Sequence, residues 1–184
     1  MKQLVIGLAA IGLMAGCASN AGTGASTGTG TPAAGMSASA TLAPKSGSNA
    51  QGTIKLLQQG DNRVAMAVDI AGLPPNGMFG FHVHEKGDCS APDGMSAGGH
   101  FNPTGQPHGD PRSGPHHAGD IPMLQSDASG KAVGSIVLNG VTLAPGPTSL
   151  VGHAVIVHSG MDDYKTQPTG NSGGRIACGV IVAN

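Results

Sequence analysis

His82 and His84 stand one residue apart in the stretch "FHVHEKGD", residues 81–88. Side chains alternate across an extended chain, so the two imidazoles project from one face while Phe81 and Val83 take the other, toward a core. A His-x-His pair on a strand offers two nitrogen donors to one ion, although a pair on a solvated face has the same pattern. The next stretches add to it. "GGHFNP" supplies His100, "QPHGDP" supplies His108, and "HHAGD" supplies His116, His117 and Asp120. "AVIVHSGMDDY" places His158 at the end of another apolar run. Histidines with a carboxylate suit tetrahedral zinc. Imidazole-rich sites also suit copper, toward which divalent affinities rise in any case. A bound ion would also order a segment that has almost no apolar run of its own.

These residues need elements to hold them. "GTIKLLQQ" and "NRVAMAVDI" are short alternating runs around the turn signal "GDN" and predict a hairpin. In the second run Val64, Met66, Val68 and Ile70 fall on one face. "LPPNG" is a turn, followed by a strand over "MFGFHVH". Residues 85–124 are rich in Gly, Pro, Asp and His, and predict a long functional loop. "AVGSIVL", "GHAVIVH" and "RIACGVIVA" predict further strands. Short strands separated by turns define an all-β sandwich or barrel. There is no internal repeat.

The ends and the composition bound the rest. Lys2, then the apolar run Leu4 to Ala15, then "LMAGC" ending at Cys17, has the form of a secretory leader. The run is too short to span a bilayer. "LMAGC" resembles a lipobox, with Met14 departing from the usual Leu, Val or Ile, so residues 1–17 are expected to be a lipoprotein-type signal and Cys17 a lipidation site. Residues 18–40 are Ala, Gly, Ser and Thr with few other types and no charge, which predicts a flexible tether with a reach of roughly 25–30 Å. The folded domain is expected over residues 41–184. It has little aromatic mass, since the chain holds no Trp, one Tyr and three Phe. A net charge of −1 and the absence of a basic run argue against nucleic acid as a partner. With Cys17 set aside, an exported chain retaining Cys89 and Cys178 favours one disulfide.

Taken together, "GFHVHEKGDC", "GGHFNP", "HHAGD", "VHSGMDDY" and "GGRIACGVI" resemble the copper/zinc superoxide dismutases in their bacterial, exported form. The resemblance runs from about residue 51 to the end of the chain. It implies a Greek-key β-sandwich or barrel, immunoglobulin-like, with long metal-binding loops, and His82 and His84 at the edge of the sandwich. It implies one copper and one zinc per subunit and dismutation of superoxide to dioxygen and hydrogen peroxide. By motif, His82, His84, His100 and His158 correspond to copper ligands, and His100, His108, His117 and Asp120 to zinc ligands. His100 would bridge the two ions and carry a proton. Asp162 matches a carboxylate that ties a copper histidine to a zinc histidine. Arg175 matches the arginine that docks the anionic substrate. Cys89 and Cys178 match the family disulfide. The "HxGD" spacing selects His117 over His116, and His153 matches no ligand position. The implied setting is the periplasmic face of the cell envelope, as monomer or homodimer, guarding against superoxide formed outside the cytoplasm. The rivals are a metal-carrying lipoprotein without turnover and a purely structural zinc domain.

Overall fold

Alternation of buried and outward-facing side chains builds the hairpin over residues 51–71. Val64, Met66, Val68 and Ile70 are all buried, and each lies between residues that face outward. The computed structural model describes residues 35–184. In chain order its strands are β1 (Ser37–Pro44), β2 (Gln51–Gln58), β3 (Arg63–Ala71), β4 (Met78–His84), β5 (Asp120–Gln125), β6 (Ala132–Asn139), β7 (Ala154–His158), β8 (Arg175–Val180) and β9 (Val182–Ala183). A single 3₁₀ turn, Met95–Ala97, is the only helical element among the described residues.

The strands are hydrogen-bonded in the order β5-β4-β7-β8-β1-β2-β3-β6, with β9 paired to β1, and every pair is antiparallel. The sheet curls until β5 and β6 face each other across an open cleft of about 600 Å³, which makes a nearly closed barrel. The jumps from β3 to β4 and from β6 to β7 cross an end of the barrel, as a Greek key requires. One core fills it, with Leu42, Ile54, Leu56, Met66, Ile70, Phe81, Ile121, Leu150 and Ile181 fully enclosed. All three phenylalanines join that core, which compensates for the absence of tryptophan.

The hairpin over β2 and β3 forms as expected, with Ile54 opposite Val68 and Leu56 opposite Met66. Three details differ. β1 starts at Ser37, four residues inside the stretch assigned to the tether, and buries Ala38, Ala40 and Leu42. β5 lies within the stretch expected to be loop, so the loop between β4 and β5 spans residues 85–119. β4 is not at an edge, because β5 and β7 flank it on both sides. The leader, Cys17 and most of the tether lie outside the described residues.

Candidate metal centre

β4 carries the first two candidate ligands, His82 and His84. Phe81 and Val83 point into the barrel core, so His82 and His84 point outward, where the loops of residues 85–119 and 159–174 cover them completely. His158 ends the neighbouring β7, and a bulge there offsets the pairing with β8 so that His158 sits opposite Arg175. Such bulges re-aim side chains beside functional sites. His100 is drawn against β4 by an isolated bridge to His84. Two groups result. His82, His84, His100 and His158 offer ligand atoms within 4.8 Å of one another, and so do His100, His108, His117 and Asp120.

Hydrogen bonding at the outer nitrogen of each ring shows which nitrogen is left for a metal. His84 Nδ1 lies 2.9 Å from the Gly98 carbonyl and His158 Nδ1 lies 3.2 Å from the Gly173 carbonyl. A carbonyl can only accept, so both Nδ1 atoms carry the proton. That leaves two Nε2 lone pairs facing each other at 3.4 Å. His82 Nε2 is held 2.7 Å from Asp162 Oδ2, which turns its Nδ1 inward. In the second group His108 Nε2 is 2.9 Å from Asp162 Oδ1, which turns its Nδ1 toward Asp120. His108 Nδ1 lies 3.0 Å from Asp120 Oδ1 yet is not aligned for a hydrogen bond. His117 Nδ1 is 3.3 Å from both Asp120 Oδ1 and His100 Nδ1. Ligands at about 2.0–2.1 Å around a tetrahedral zinc lie about 3.3 Å apart.

Three buried side-chain nitrogens have no partner: His82 Nδ1, His100 Nε2 and His108 Nδ1. Such orphans are costly. All three are aimed into the two groups, so the residues fit a pair of cations. An all-imidazole set suits copper, and three imidazoles with a carboxylate suit zinc. His100 belongs to both groups. Its Nδ1 lies 2.8 Å from Asp120 Oδ1, and its Nε2 is the orphan on the other side.

Electrostatics agree with this arrangement. In the metal-free chain burial drives His84 down to about 2, His158 to about 3 and His100 to about 4. These rings stand neutral at physiological pH, as ligands must. Burial also opposes charge on His108, but hydrogen bonds and the negative charges of Asp120 and Asp162 outweigh it and push the ring up to about 9. A proton there stands where a cation belongs. Burial disfavours ionised Asp120 and Asp162, yet contacts to His100, His108 and His82 hold both well below the usual carboxylate range.

Arg175 is nearly buried. Its Nη1 donates to the Gly94 carbonyl at 2.8 Å and its Nη2 to the Gly98 carbonyl at 2.6 Å. Gly98 therefore braces both Arg175 and His84. Cys89 and Cys178 form a disulfide. His116 Nδ1 turns to the His117 carbonyl at 2.7 Å, and His153 Nδ1 to the Glu85 carbonyl at 2.8 Å, so neither enters a cluster. Sequence reasoning missed Gln167, whose amide accepts from the His108 N–H at 2.9 Å and donates to the His108 carbonyl at 2.8 Å. It also missed the carbonyls of Gly94, Gly98 and Gly173, which have no side chain to announce them.

A Greek-key barrel bearing two adjacent metal sites that share one histidine defines a class of bimetallic oxidoreductase. The family model described as copper/zinc superoxide dismutase matches residues 50–181. "Superoxide dismutase [Cu-Zn] 2" of Aquifex aeolicus is 44% identical over 122 residues, 64% of this chain and 71% of that protein. "Superoxide dismutase [Cu-Zn]" of Neurospora crassa is 41% identical over 141 residues, 73% of this chain and 90% of that protein. The crystal structure of a SOD-like protein from Bacillus subtilis matches with a TM-score of 0.70 at 37% identity, over 77% of this chain and 96% of that one. The chain belongs to the copper/zinc superoxide dismutase family, an oxidoreductase family whose metals are copper and zinc.

Proposed function

We propose that the chain dismutates superoxide at a copper held by His82, His84, His100 and His158, beside a zinc held by His100, His108, His117 and Asp120, with His100 shared between them. One observation carries this reading: His100 places Nδ1 among the zinc-type donors and its unpartnered Nε2 toward the three other imidazoles. Copper bound there supplies one-electron exchange, taking an electron from one superoxide and giving it to the next, which zinc cannot do. The chain does the rest. Arg175, always charged and planar, attracts and orients the anion. Its guanidinium is pre-set by two glycine carbonyls, so little ordering is needed when substrate arrives. Asp162 fixes the rings of His82 and His108 through opposite oxygens. When it is not ligating, His100 Nε2 would have its lone pair free to take a proton from solvent and so would supply one of the two protons that the second superoxide needs to leave as hydrogen peroxide, with solvent supplying the other.

The setting is part of the proposal. The leader, the lipobox-like "LMAGC" and the uncharged tether support export and anchoring through Cys17. The Cys89–Cys178 bridge is at home in an oxidising compartment. The work of the protein is then removal of superoxide at the periplasmic face of the envelope.

The test is superoxide decay catalysed by the chain loaded with copper and zinc, set against His158→Ala. Fast, copper-dependent decay that collapses in the variant is expected. Metal binding with decay no faster than in buffer overturns the reading and leaves a metal carrier in its place. Export is tested separately by fractionating cells that express the chain or Cys17→Ser. The membrane signal is expected to be lost in the variant, and a soluble wild type overturns the anchor.

A further inference from the structure

Large hydrophobic side chains exposed to solvent are unevenly placed on this molecule. Among the described residues, Met95 and Met161 lie in the loops around the metal clusters, while Met36, Leu57, Val133, Val137 and Val182 lie on or beside the sheet of β9, β1, β2, β3 and β6. The register aligns them. Ser37, Leu57, Ala65 and Val137 form one outward row across four strands. Val182, Ser39, Lys55, Ala67 and Ser135 form the next, and Thr41, Thr53, Asp69 and Val133 the one after it. The side chains between the rows are core. The result is an outer face on which Leu57, Ala65, Ala67, Val133, Val137 and Val182 lie among Ser and Thr side chains, with Lys55 and Asp69. Nothing on the described chain covers it.

Strand order places this face. In the barrel β2 and β3 lie across from β4 and β7. His82 and His84 project outward from β4, so their group and the centre of this face on β2 and β3 look in opposite directions, while Val137 at the β6 margin borders a pocket shared with His116 and Asp120. The charges on the face are also uneven. Lys55 and Arg63 are exposed on either side of the Leu57–Ala65 pair. Asp69, the acidic group on the face itself, is bridged by Lys131 at 3.1 Å, and Asp61 lies in the turn beyond Arg63. The chain enters the barrel at this place too: the Met36 carbonyl accepts from the N–H of Gln58, next to Leu57. Residues 18–34 separate Cys17 from the described part of the chain.

We propose that this outer face, with Leu57, Val137, Met36 and Val182 framed by Lys55 and Arg63, rests on the lipid bilayer to which the chain is tethered, and that the metal clusters consequently face away from the membrane. The inference rests on the anchoring at Cys17 proposed above. Anchoring removes the need for a strong contact. A short tether to a membrane holds its domain at an effective concentration on the order of mM, so a weak apolar surface aided by two cations near anionic headgroups is sufficient. Substrate then reaches Arg175 from the open side.

The experiment uses the full lipidated chain, extracted from membranes and reconstituted on vesicles of phosphatidylcholine and phosphatidylglycerol. Hydroxyl-radical footprinting reads side-chain oxidation in the wild type, in Leu57→Asp, and in Lys55→Glu with Arg63→Glu. These are surface positions on β2 and at the start of β3, away from the metal groups, and superoxide decay is expected to be unchanged in both variants. Oxidation of Met36 and Val182 is expected to be several-fold lower in the wild type than in either variant, while Met95 and Met161 react equally in all three. Co-sedimentation with vesicles but equal oxidation of Met36 and Val182 in all three overturns the face and leaves the anchor standing. Failure to co-sediment overturns the anchor, and the face with it. Protection that persists without vesicles and grows with protein concentration assigns the face to a second copy of the chain and overturns the bilayer.

Discussion

Asp162 is the residue on which the two metal groups depend jointly. It accepts from His82 with one oxygen and from His108 with the other, and it also accepts the Tyr164 N–H at 2.7 Å. Carboxylates in this position fix both tautomer and ring orientation. Asp162→Ala is therefore expected to weaken metal binding about 10–100-fold, measured by competition with a chelator. Equal affinity in the variant would show that the rings are set by packing alone. Protonation gives a second prediction. His84, His158 and His100 are depressed to about 2, 3 and 4, so below an unfolded value near 6.5 the unfolded chain takes up protons that the folded chain refuses. Each site then lowers the stability of the metal-free chain as pH falls from 6.5, by at most about 1.4 kcal/mol per pH unit. His108 is raised to about 9, so its contribution is complete below 6.5 and is lost as pH rises to 9. The metal-free chain is expected to be most stable near pH 6.5, by chemical denaturation across pH. Zinc binding at pH 7.5 is expected to release the His108 proton, read by calorimetry in two buffers of different ionisation enthalpy. A binding heat independent of buffer would refute that assignment.

At the scale of elements, His82, His84 and His158 sit on strands, while His100, His108 and His117 sit in the loop of residues 85–119 and Asp120 opens β5, and this division governs what the sequence reveals. β2 and β3 are legible because apolar side chains alternate along them, and β4, β6, β7 and β8 because they are short apolar runs between turns. β1 is hidden because Ala38 and Ala40 fill the core with methyl groups too small to stand out from the Ser and Ala of the tether. β5 is hidden by Pro122 and by Asp120, a ligand that opens the strand. The ligating histidines are legible from type and order alone. The supports are not, because a carbonyl belongs to every residue and Gln167 is one polar side chain in a polar loop. Gly170 is such a support. Its φ is +67°, and an added Cβ would strike Asp162 Oδ1 and approach His108 Nε2 to 2.6 Å. Gly170→Ala is expected to part Asp162 from His108 and reduce zinc content, measured by elemental analysis after dialysis, with copper less affected because His84 and His158 are braced elsewhere. Unaltered zinc in the variant would mean that the loop of residues 159–174 shifts freely, and that it does not position Asp162.

Over the whole molecule, the disulfide joins the covering loop to the barrel. Cys89 lies in the loop of residues 85–119 and Cys178 in β8, and with Ala97, Ala154 and Ile156 they form a small apolar cluster outside the main core. The bridge spans 89 residues of sequence, for which loop entropy sets a ceiling of about 4–5 kcal/mol. In a domain of this size that corresponds to a fall in Tm of at most roughly 10–15 °C when the bridge is removed. Stability is only part of the argument. The loop that Cys89 pins also carries Gly94 and Gly98, the carbonyls that hold Arg175. Lys45 donates to the Cys89 carbonyl and ties β1's end to the same loop. His82 and His158, by contrast, sit on β4 and β7, which pair directly and do not need the bridge. Cys89→Ser with Cys178→Ser is therefore expected to keep most of its copper while losing catalytic efficiency, because the Arg175 guanidinium, proposed above to orient the anion, is no longer pre-set. The measurement is kcat/KM for superoxide per bound copper, taken well below the lowered Tm. A reduced per-copper rate supports coupling of the disulfide to Arg175 through the loop. An unchanged per-copper rate beside a lower Tm confines the bridge to stability, and the two glycine carbonyls must then be held by the barrel without it.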